Sequence, residues 1–298
     1  MESCNGVLIN VLGTTFRMFF AVNDCMTRFA RFGLNIAANG IRQHVLRYGG
    51  RGQPLVIVPG ITSPAITWGF VAEALAEQFD TYVVDVRGRG LSSSGPDLDY
   101  GVDAMAADLV ALLDALKLEN AIVLGHSMGA RIAARAAGIS FSRMGRLVLV
   151  DPPVSGPGRR AYPSKLPWYV DSIRLATTGI DADGMRAFCP TWTDQQLALR
   201  AEWLHTCFEP AIVKAFNDFH DTCFHDDVPG LNMPVALMVA GKGGVILDED
   251  VAELTTLNPK IQITRVADAG HMIPWDDFPG FLGALDGILG TSLRKTHL

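Results

Sequence analysis

Continuous apolar runs of strand length recur along this chain, with room for one helix between each pair. Leu55-Val56-Ile57-Val58, Thr81-Tyr82-Val83-Val84-Asp85-Val86, Ala121-Ile122-Val123-Leu124 and Leu147-Val148-Leu149-Val150 are the clearest. Unbroken runs of this kind, as opposed to alternating ones, mark strands covered on both faces. Between them, residues 68–79, 102–116 and the small-residue stretch from Met128 carry helical spacing. Residues 41–48 read as an earlier strand, followed by Gly49-Gly50-Arg51-Gly52 as a turn. Strands alternating with helices predict an α/β fold with a mostly parallel, doubly wound sheet and right-handed crossovers.

The rhythm breaks after Asp151. Residues 152–230 open with Pro-Pro and Gly-Pro-Gly-Arg-Arg and show helical spacing around 166–178, 181–188, 193–206 and 209–220. They contain no buried-strand run, so a helical cap inserted after the strand ending at Val150 is expected. The sheet pattern resumes at 235–239 and 261–266, and 279–289 reads as a closing helix. The expected division is a core of 35–151 and 231–298, a cap of 152–230, and an N-terminal extension of 1–34. Within the extension, residues 7–22 are apolar but interrupted by Arg17, which is too short and broken for a membrane span. They also lack the basic start and cleavage site of a signal peptide. Residues 1–25 read as dispensable, with Met26 as an alternative start. A loosely packed amphipathic segment is the other reading.

Composition narrows the picture further. The chain has 298 residues, of which 49% are hydrophobic, enough for one large core with an insertion. Its net charge of −6 offers no basic footprint for nucleic acid. Five scattered cysteines (Cys4, Cys25, Cys189, Cys207 and Cys223) are expected to be free thiols in a reducing cytoplasm. Oligomeric state does not follow from any of this.

The chemistry starts at Gly125-His126-Ser127-Met128-Gly129, directly after a buried strand and before a helix. A G-x-S-x-G segment in that setting is a nucleophile elbow, whose glycines permit a sharp turn and close helix packing. A serine hydroxyl needs a base within hydrogen-bond reach and a third group to orient that base. In this arrangement the chain order is serine, acid, histidine. Of the histidines after Ser127, His205, His220 and His225 fall in the cap and His297 is next to the end. His271, just after the last strand, is therefore the expected base. The usual acid position follows the strand 235–239, but Ala240-Gly241-Lys242-Gly243-Gly244-Val245 has no carboxylate there. Asp151, at the end of strand 147–150, is favoured over Asp248, which reads as an N-terminal charge of the next helix. The oxyanion donors are expected to be the N–H groups of Met128 and of Ile61, in the loop Pro59-Gly60-Ile61-Thr62-Ser63-Pro64.

Other clusters carry less. His220, Cys223, His225, Asp226 and Asp227 crowd together, but their spacing fits no zinc pattern, so no metal is expected. Val86-Arg87-Gly88-Arg89-Gly90 lacks the lysine of a phosphate loop and reads as a surface loop braced by its arginines.

Several longer stretches carry a resemblance. They are 38–44, 59–70, Asp85-Val86-Arg87-Gly88-Arg89-Gly90-Leu91-Ser92-Ser93-Ser94-Gly95-Pro96-Asp97, Asp151-Pro152-Pro153-Val154-Ser155-Gly156-Pro157-Gly158-Arg159-Arg160, and Gly270-His271-Met272-Ile273-Pro274-Trp275. Through them the chain resembles the N-formylmaleamate deformylases, α/β-hydrolases of bacterial nicotinate breakdown. The resemblance covers roughly 35–287 and implies a triad of Ser127, Asp151 and His271. It implies hydrolysis of N-formylmaleamate to maleamate and formate through a formyl-serine, with no cofactor. A carboxylate-bearing substrate calls for a cationic anchor. Arg159 and Arg160 are expected to supply it, out of a set that includes Lys165, Arg174, Arg186 and Arg200. Trp168 and Tyr169, with Trp192 and Trp203, are candidate pocket walls. A hydrolase of another small ester, amide or C–C substrate, and a non-catalytic binding protein on the same fold, are the alternative readings.

Overall fold

The computed structural model describes residues 7–11, 14–18, 31–49 and 52–293. Met26, Cys4, Cys25, His297 and the centre of the 49–52 turn lie outside the described residues. Strands β1 (Val7–Val11) and β2 (Thr14–Met18) pair antiparallel as a separate two-stranded ribbon. The main sheet begins with β3 (Arg31–Ala38), paired antiparallel with β4 (Ile41–Tyr48). Only Asn39 and Gly40 join them, at φ of 51° and 73°. Two left-handed residues in an Asn-Gly pair make the tight turn whose twist matches that of the strands it connects. The sheet therefore starts at Arg31, inside the stretch that the sequence assigned to the extension.

The chain continues through β5 (Pro54–Val58), α1 (Gly69–Leu75), β6 (Asp80–Val84), α2 (Val102–Ala115), β7 (Ala121–His126), α3 (Met128–Ile139) and β8 (Met144–Val150). Four helices follow: α4 (Leu166–Thr177), α5 (Ala182–Met185), α6 (Asp194–Trp203) and α7 (Glu209–Asp221). The sheet closes with β9 (Val235–Ala240), α8 (Asp248–Leu257), β10 (Gln262–Val266), α9 (Ile273–Asp276) and α10 (Phe278–Leu289).

Strand order is β10-β9-β8-β7-β5-β6-β4-β3, parallel from β10 to β6 and antiparallel at β4 and β3. The chain winds outward in both directions from β5, which has β6 on one side and β7 on the other. Reversal of winding opens a crevice at the C-terminal ends of β5 and β7, where open α/β sheets bind ligands. The Ile61 loop and the Ser127 turn leave the sheet at this crevice.

The helices reach the sheet through small residues. Ala130, Ala133, Ala134, Ala136 and Ala137 of α3 are buried against the central strands and α2. Central-strand side chains such as Leu55, Ile57 and Leu124 are fully buried, each stabilising the fold by about 1.5–3 kcal/mol. Arg131 of α3 is also buried. Its guanidinium donates to the carbonyls of Pro153, Ser155, Asp218, Phe219 and Thr222, fastening the segment after β8 to the end of α7. Burial lowers its pKa to about 10, so it stays cationic at neutral pH.

Candidate active site

Ser127 sits between β7 and α3 at φ 54°, ψ −117°, a left-handed conformation unusual for a residue with a Cβ. Its neighbours must be small for the turn to exist. A Cβ on Gly129 would lie 1.9 Å from the Val58 carbonyl oxygen, and one on Gly125 would lie 2.3 Å from the Gly129 oxygen. The backbone is pinned by the Ser127 N–H, which donates to the Val150 carbonyl at 2.8 Å.

His271 enters from the loop between β10 and α9. Its Nε2 is 3.0 Å from Ser127 Oγ, and its Nδ1 is 2.7 Å from Asp151 Oδ2. Asp151 follows β8 directly and is itself left-handed, at φ 46°. Its other carboxylate oxygen accepts the Ala240 N–H at 3.2 Å, and its own N–H bonds to the Met238 carbonyl at 2.9 Å. The strand that usually supplies the acid thus supplies its support. Asp248 lies elsewhere, exposed at the start of α8 and paired with Arg265.

Tyr162, which the sequence reading passed over, completes the group. Its hydroxyl lies 3.3 Å from His271 Nε2, while the Tyr169 hydroxyl donates to it at 3.4 Å. Burial raises both tyrosine hydroxyls above their ordinary pKa, so both are neutral donors at neutral pH. A lone tyrosine in a Pro- and Ser-rich stretch carries no signal that distinguishes it from packing.

The loop after β5 is held from three sides. Asp85 accepts the Ala65 N–H at 2.6 Å and bonds His44 at 2.7 Å. Arg89 Nε donates to the Ile61 carbonyl at 3.0 Å, and its Nη2 touches Met128 Sδ at 3.4 Å. Arg200 donates to the carbonyl and hydroxyl of Thr62, at 3.1 and 3.3 Å. Arg87 and Arg89, read from sequence as lying in a surface loop, are both buried. Arg87 forms a two-bond pair with Asp108, which is why the loop can fold inward.

These groups open onto a cavity of about 470 Å³. Its walls include Ile61, Thr62, Tyr162, Trp168, Tyr169, Trp192, Arg200 and the backbone around Gly243. Trp168 and Tyr169 both belong to this lining. Arg159 and Arg160 are not in the lining. Arg159 is taken up by Glu253, His225 and the Val154 carbonyl. Arg160 holds Asp250 and the carbonyls of Gly244 and Val245. Both are committed to α8 and its preceding loop, so their position soon after Asp151 does not bring them to the serine. In the His220–Asp227 crowd, Asp227 pairs with Arg135, and His225 faces Arg159 and Cys223. Cys189, Cys207 and Cys223 are free. Burial raises the Cys189 thiol and pushes that of Cys207 up to about 12.

His126, next to the serine, is buried against Trp68 and bonds the His271 carbonyl through Nε2 at 3.0 Å. Burial lowers its pKa to about 3, with His271 adding to the effect. The folded state keeps this ring neutral, whereas the unfolded chain protonates it near pH 6.5. Stability from this residue is complete above pH 6.5 and is lost as pH falls from there toward 3. Between pH 6 and 5, urea unfolding of the wild type should lose about 1.4 kcal/mol more per pH unit than His126→Asn. Equal slopes would contradict a buried neutral imidazole.

Residues 53–278 match the α/β hydrolase fold family. The chain belongs to the α/β-hydrolase family. Among curated α/β-hydrolases, it is 67% identical over 257 residues to N-formylmaleamate deformylase of Pseudomonas putida, covering 86% of this chain and 96% of that one. A crystal structure of an N-formylmaleamic acid deformylase variant from another Pseudomonas putida strain superposes with a TM-score of 0.83 at 57% identity. That alignment covers 85% of this chain and all of the other. E-2-(acetamidomethylene)succinate hydrolase, at 20% identity and a TM-score of 0.71 over 88% of this chain and all of that one, shares the fold. Among the described residues, no helix is long and apolar enough to cross a membrane.

Proposed function

We propose that this hydrolase removes the formyl group from N-formylmaleamate, giving formate and maleamate, with Ser127 as nucleophile, His271 as base and Asp151 as its orienting acid. The observation that carries the reading is the Ser127–His271–Asp151 relay, with contacts of 3.0 and 2.7 Å, opening onto a cavity of about 470 Å³. Its likeness to a curated deformylase along most of both chains supplies the substrate.

The chemistry follows from the parts. Ser127 Oγ attacks the formyl carbon while His271 Nε2 takes the hydroxyl proton. Asp151 holds Nδ1–H, which fixes the tautomer and stabilises the imidazolium. The N–H groups of Ile61 and Met128 receive the oxyanion, with the Ile61 carbonyl held by Arg89 and the Met128 side chain packed on the same guanidinium. The C–N bond then breaks, and His271 returns its proton to the departing nitrogen, whose second carbonyl spreads the charge. Water, deprotonated by His271, attacks the formyl ester, and formate leaves as Ser127 recovers its proton. Every step is a proton transfer or acyl exchange, so side chains and backbone suffice. Tyr162, beside His271 Nε2 in the same lining, narrows the space above Ser127 and suits an acyl group of one carbon. Residues 152–230 act as a cap that walls the cavity over the serine.

The test is formate release from N-formylmaleamate by purified protein, counted against substrate consumed. One formate per maleamate is expected. Cleavage of an unrelated 4-nitrophenyl ester without any formate from N-formylmaleamate would keep the hydrolase and reject the substrate.

A further inference from the structure

Arg200 is the residue whose surroundings the reaction above leaves unexplained. It sits in α6, in the wall of the active-site cavity, yet only 4% of it is exposed. Among the described residues no carboxylate pairs with it, as is also true of the buried Arg89 and Arg131, but those two give their donors to backbone carbonyls, whereas Arg200 keeps a buried Nε without a partner. A cation removed from water without a counter-charge is costly, and native chains rarely retain one without a use.

Its donors are divided. One Nη gives a proton to the Thr62 carbonyl and the other to the Thr62 hydroxyl. Nε is buried and has no partner. A guanidinium has five N–H groups, so the end of the fork is occupied while the Nε edge keeps its donors. The plane is fixed as well. The guanidinium carbon lies 5.6 Å from the ring centres of both Trp168 and Trp192, and Trp192 in turn stacks on Trp275 at 5.0 Å. A side chain held by two indoles and a loop backbone has lost its freedom before any ligand arrives. What it offers is a pre-set, desolvated cation in the cavity wall with N–H donors left over, a match for a carboxylate.

The other charges of the cavity do not compete for this role. Lys242 is in the lining but largely exposed and bound to Asp268. Asp276 is the acidic residue of the lining, and its carboxylate is tied to the backbone N–H groups of Gly270 and Met272 and to Thr191. We propose that Arg200 is the carboxylate anchor of this enzyme, gripping with the donors that Thr62 leaves free the acid group that leaves with the nitrogen. The preferred substrates are then acyl amides or imides with a carboxylate on the leaving side. This deepens the deformylase reading and rests on it for the position of the reacting carbonyl. Because the same guanidinium holds Thr62, next to Ile61, the anchor also couples substrate seating to the oxyanion loop.

Binding tests this apart from turnover. Calorimetry with maleate and with its neutral diamide should show maleate binding the wild type at least about 30-fold tighter. Arg200→Met and Arg200→Lys should erase most of that preference, and Lys242→Met should keep it. With N-formylmaleamate, Arg200→Lys should raise KM by about 10²-fold and lower kcat far less, since lysine keeps the charge but not the fork. Equal binding of maleate and diamide by the wild type would overturn the anchor even if the Arg200 variants fail to fold. So would an Arg200→Met protein that still prefers maleate. A protein that binds maleate through Arg200 but releases no formate from N-formylmaleamate would reject the deformylase reading and leave the anchor standing.

Discussion

Replacing Ser127 by alanine is expected to lower kcat by about 10⁵- to 10⁶-fold, with a melting temperature within about 2 °C of wild type. The two halves of that expectation have separate origins. The hydroxyl is the group that bonds to the formyl carbon, and the other hydroxyl beside His271 Nε2, that of Tyr162, is held protonated by burial. The Cys189 thiol in the wall is held protonated by burial. Stability is spared because alanine keeps the Cβ, and with it the same left-handed backbone at φ 54°. Glycine would relax that backbone and confuse the two effects. Single-turnover formate release and a thermal melt read both. Turnover above about 1% of wild type would mean that the nucleophile lies elsewhere.

Asp151→Asn should cost about 10³ to 10⁴ in kcat, the order seen when a triad base loses the group that sets its tautomer. Asparagine is the informative replacement. It tolerates the left-handed φ of 46° and can still accept the Ala240 N–H. What it cannot do is hold Nδ1–H of His271 with a full charge. The loss should therefore fall on kcat with KM little changed, and the melting temperature should move by only a few degrees. Asp248→Asn, at an exposed ion pair with Arg265, should leave both constants within about twofold. The reverse pattern, with Asp248 critical and Asp151 silent, would assign the acid to the strand after the cap.

What the sequence made legible was set by how local the governing forces are. Strands β5 to β8 are buried on both faces, so each shows as an apolar run whatever its neighbours do. The elbow is equally local, because its glycines answer to clashes within a few residues. Asp151 could be found because the stretch from Ala240 to Val245 contains no carboxylate to compete with it. Strand β3 was not found from its pattern. It lies at the sheet edge with all eight residues exposed or half-buried, and the one local sign of it was the Asn39-Gly40 turn. Arg200 was indistinguishable from its neighbours for a different reason. An arginine in a polar helix reads as solvated, and only the packing of α6 against Thr62, Trp168 and Trp192 takes it out of water. Arg159 and Arg160 misled because nearness in sequence to Asp151 was taken for nearness in space, while their partners on and before α8 lie more than eighty residues further along the chain.

Seating the acid at the end of β8 has a consequence for how such an enzyme can change. In the more common layout, the loop after β9 must present the carboxylate, and any remodelling of that loop endangers the base. Here β9 holds Asp151 through the Ala240 N–H and the Met238 carbonyl, and the loop beyond it, from Lys242 to Val245, lines the cavity with its backbone gripped by Arg160. Two duties that usually constrain one loop are carried by separate strands. Substitutions at the exposed Lys242 and at Gly244, where an added Cβ meets nothing within 4 Å, can accumulate without disturbing proton transfer, so this is the edge of the cavity where altered substrate preference costs the fewest coordinated mutations. A library confined to these positions should yield many folded, catalytically intact variants, whereas the same diversity at 151–153 should yield almost none.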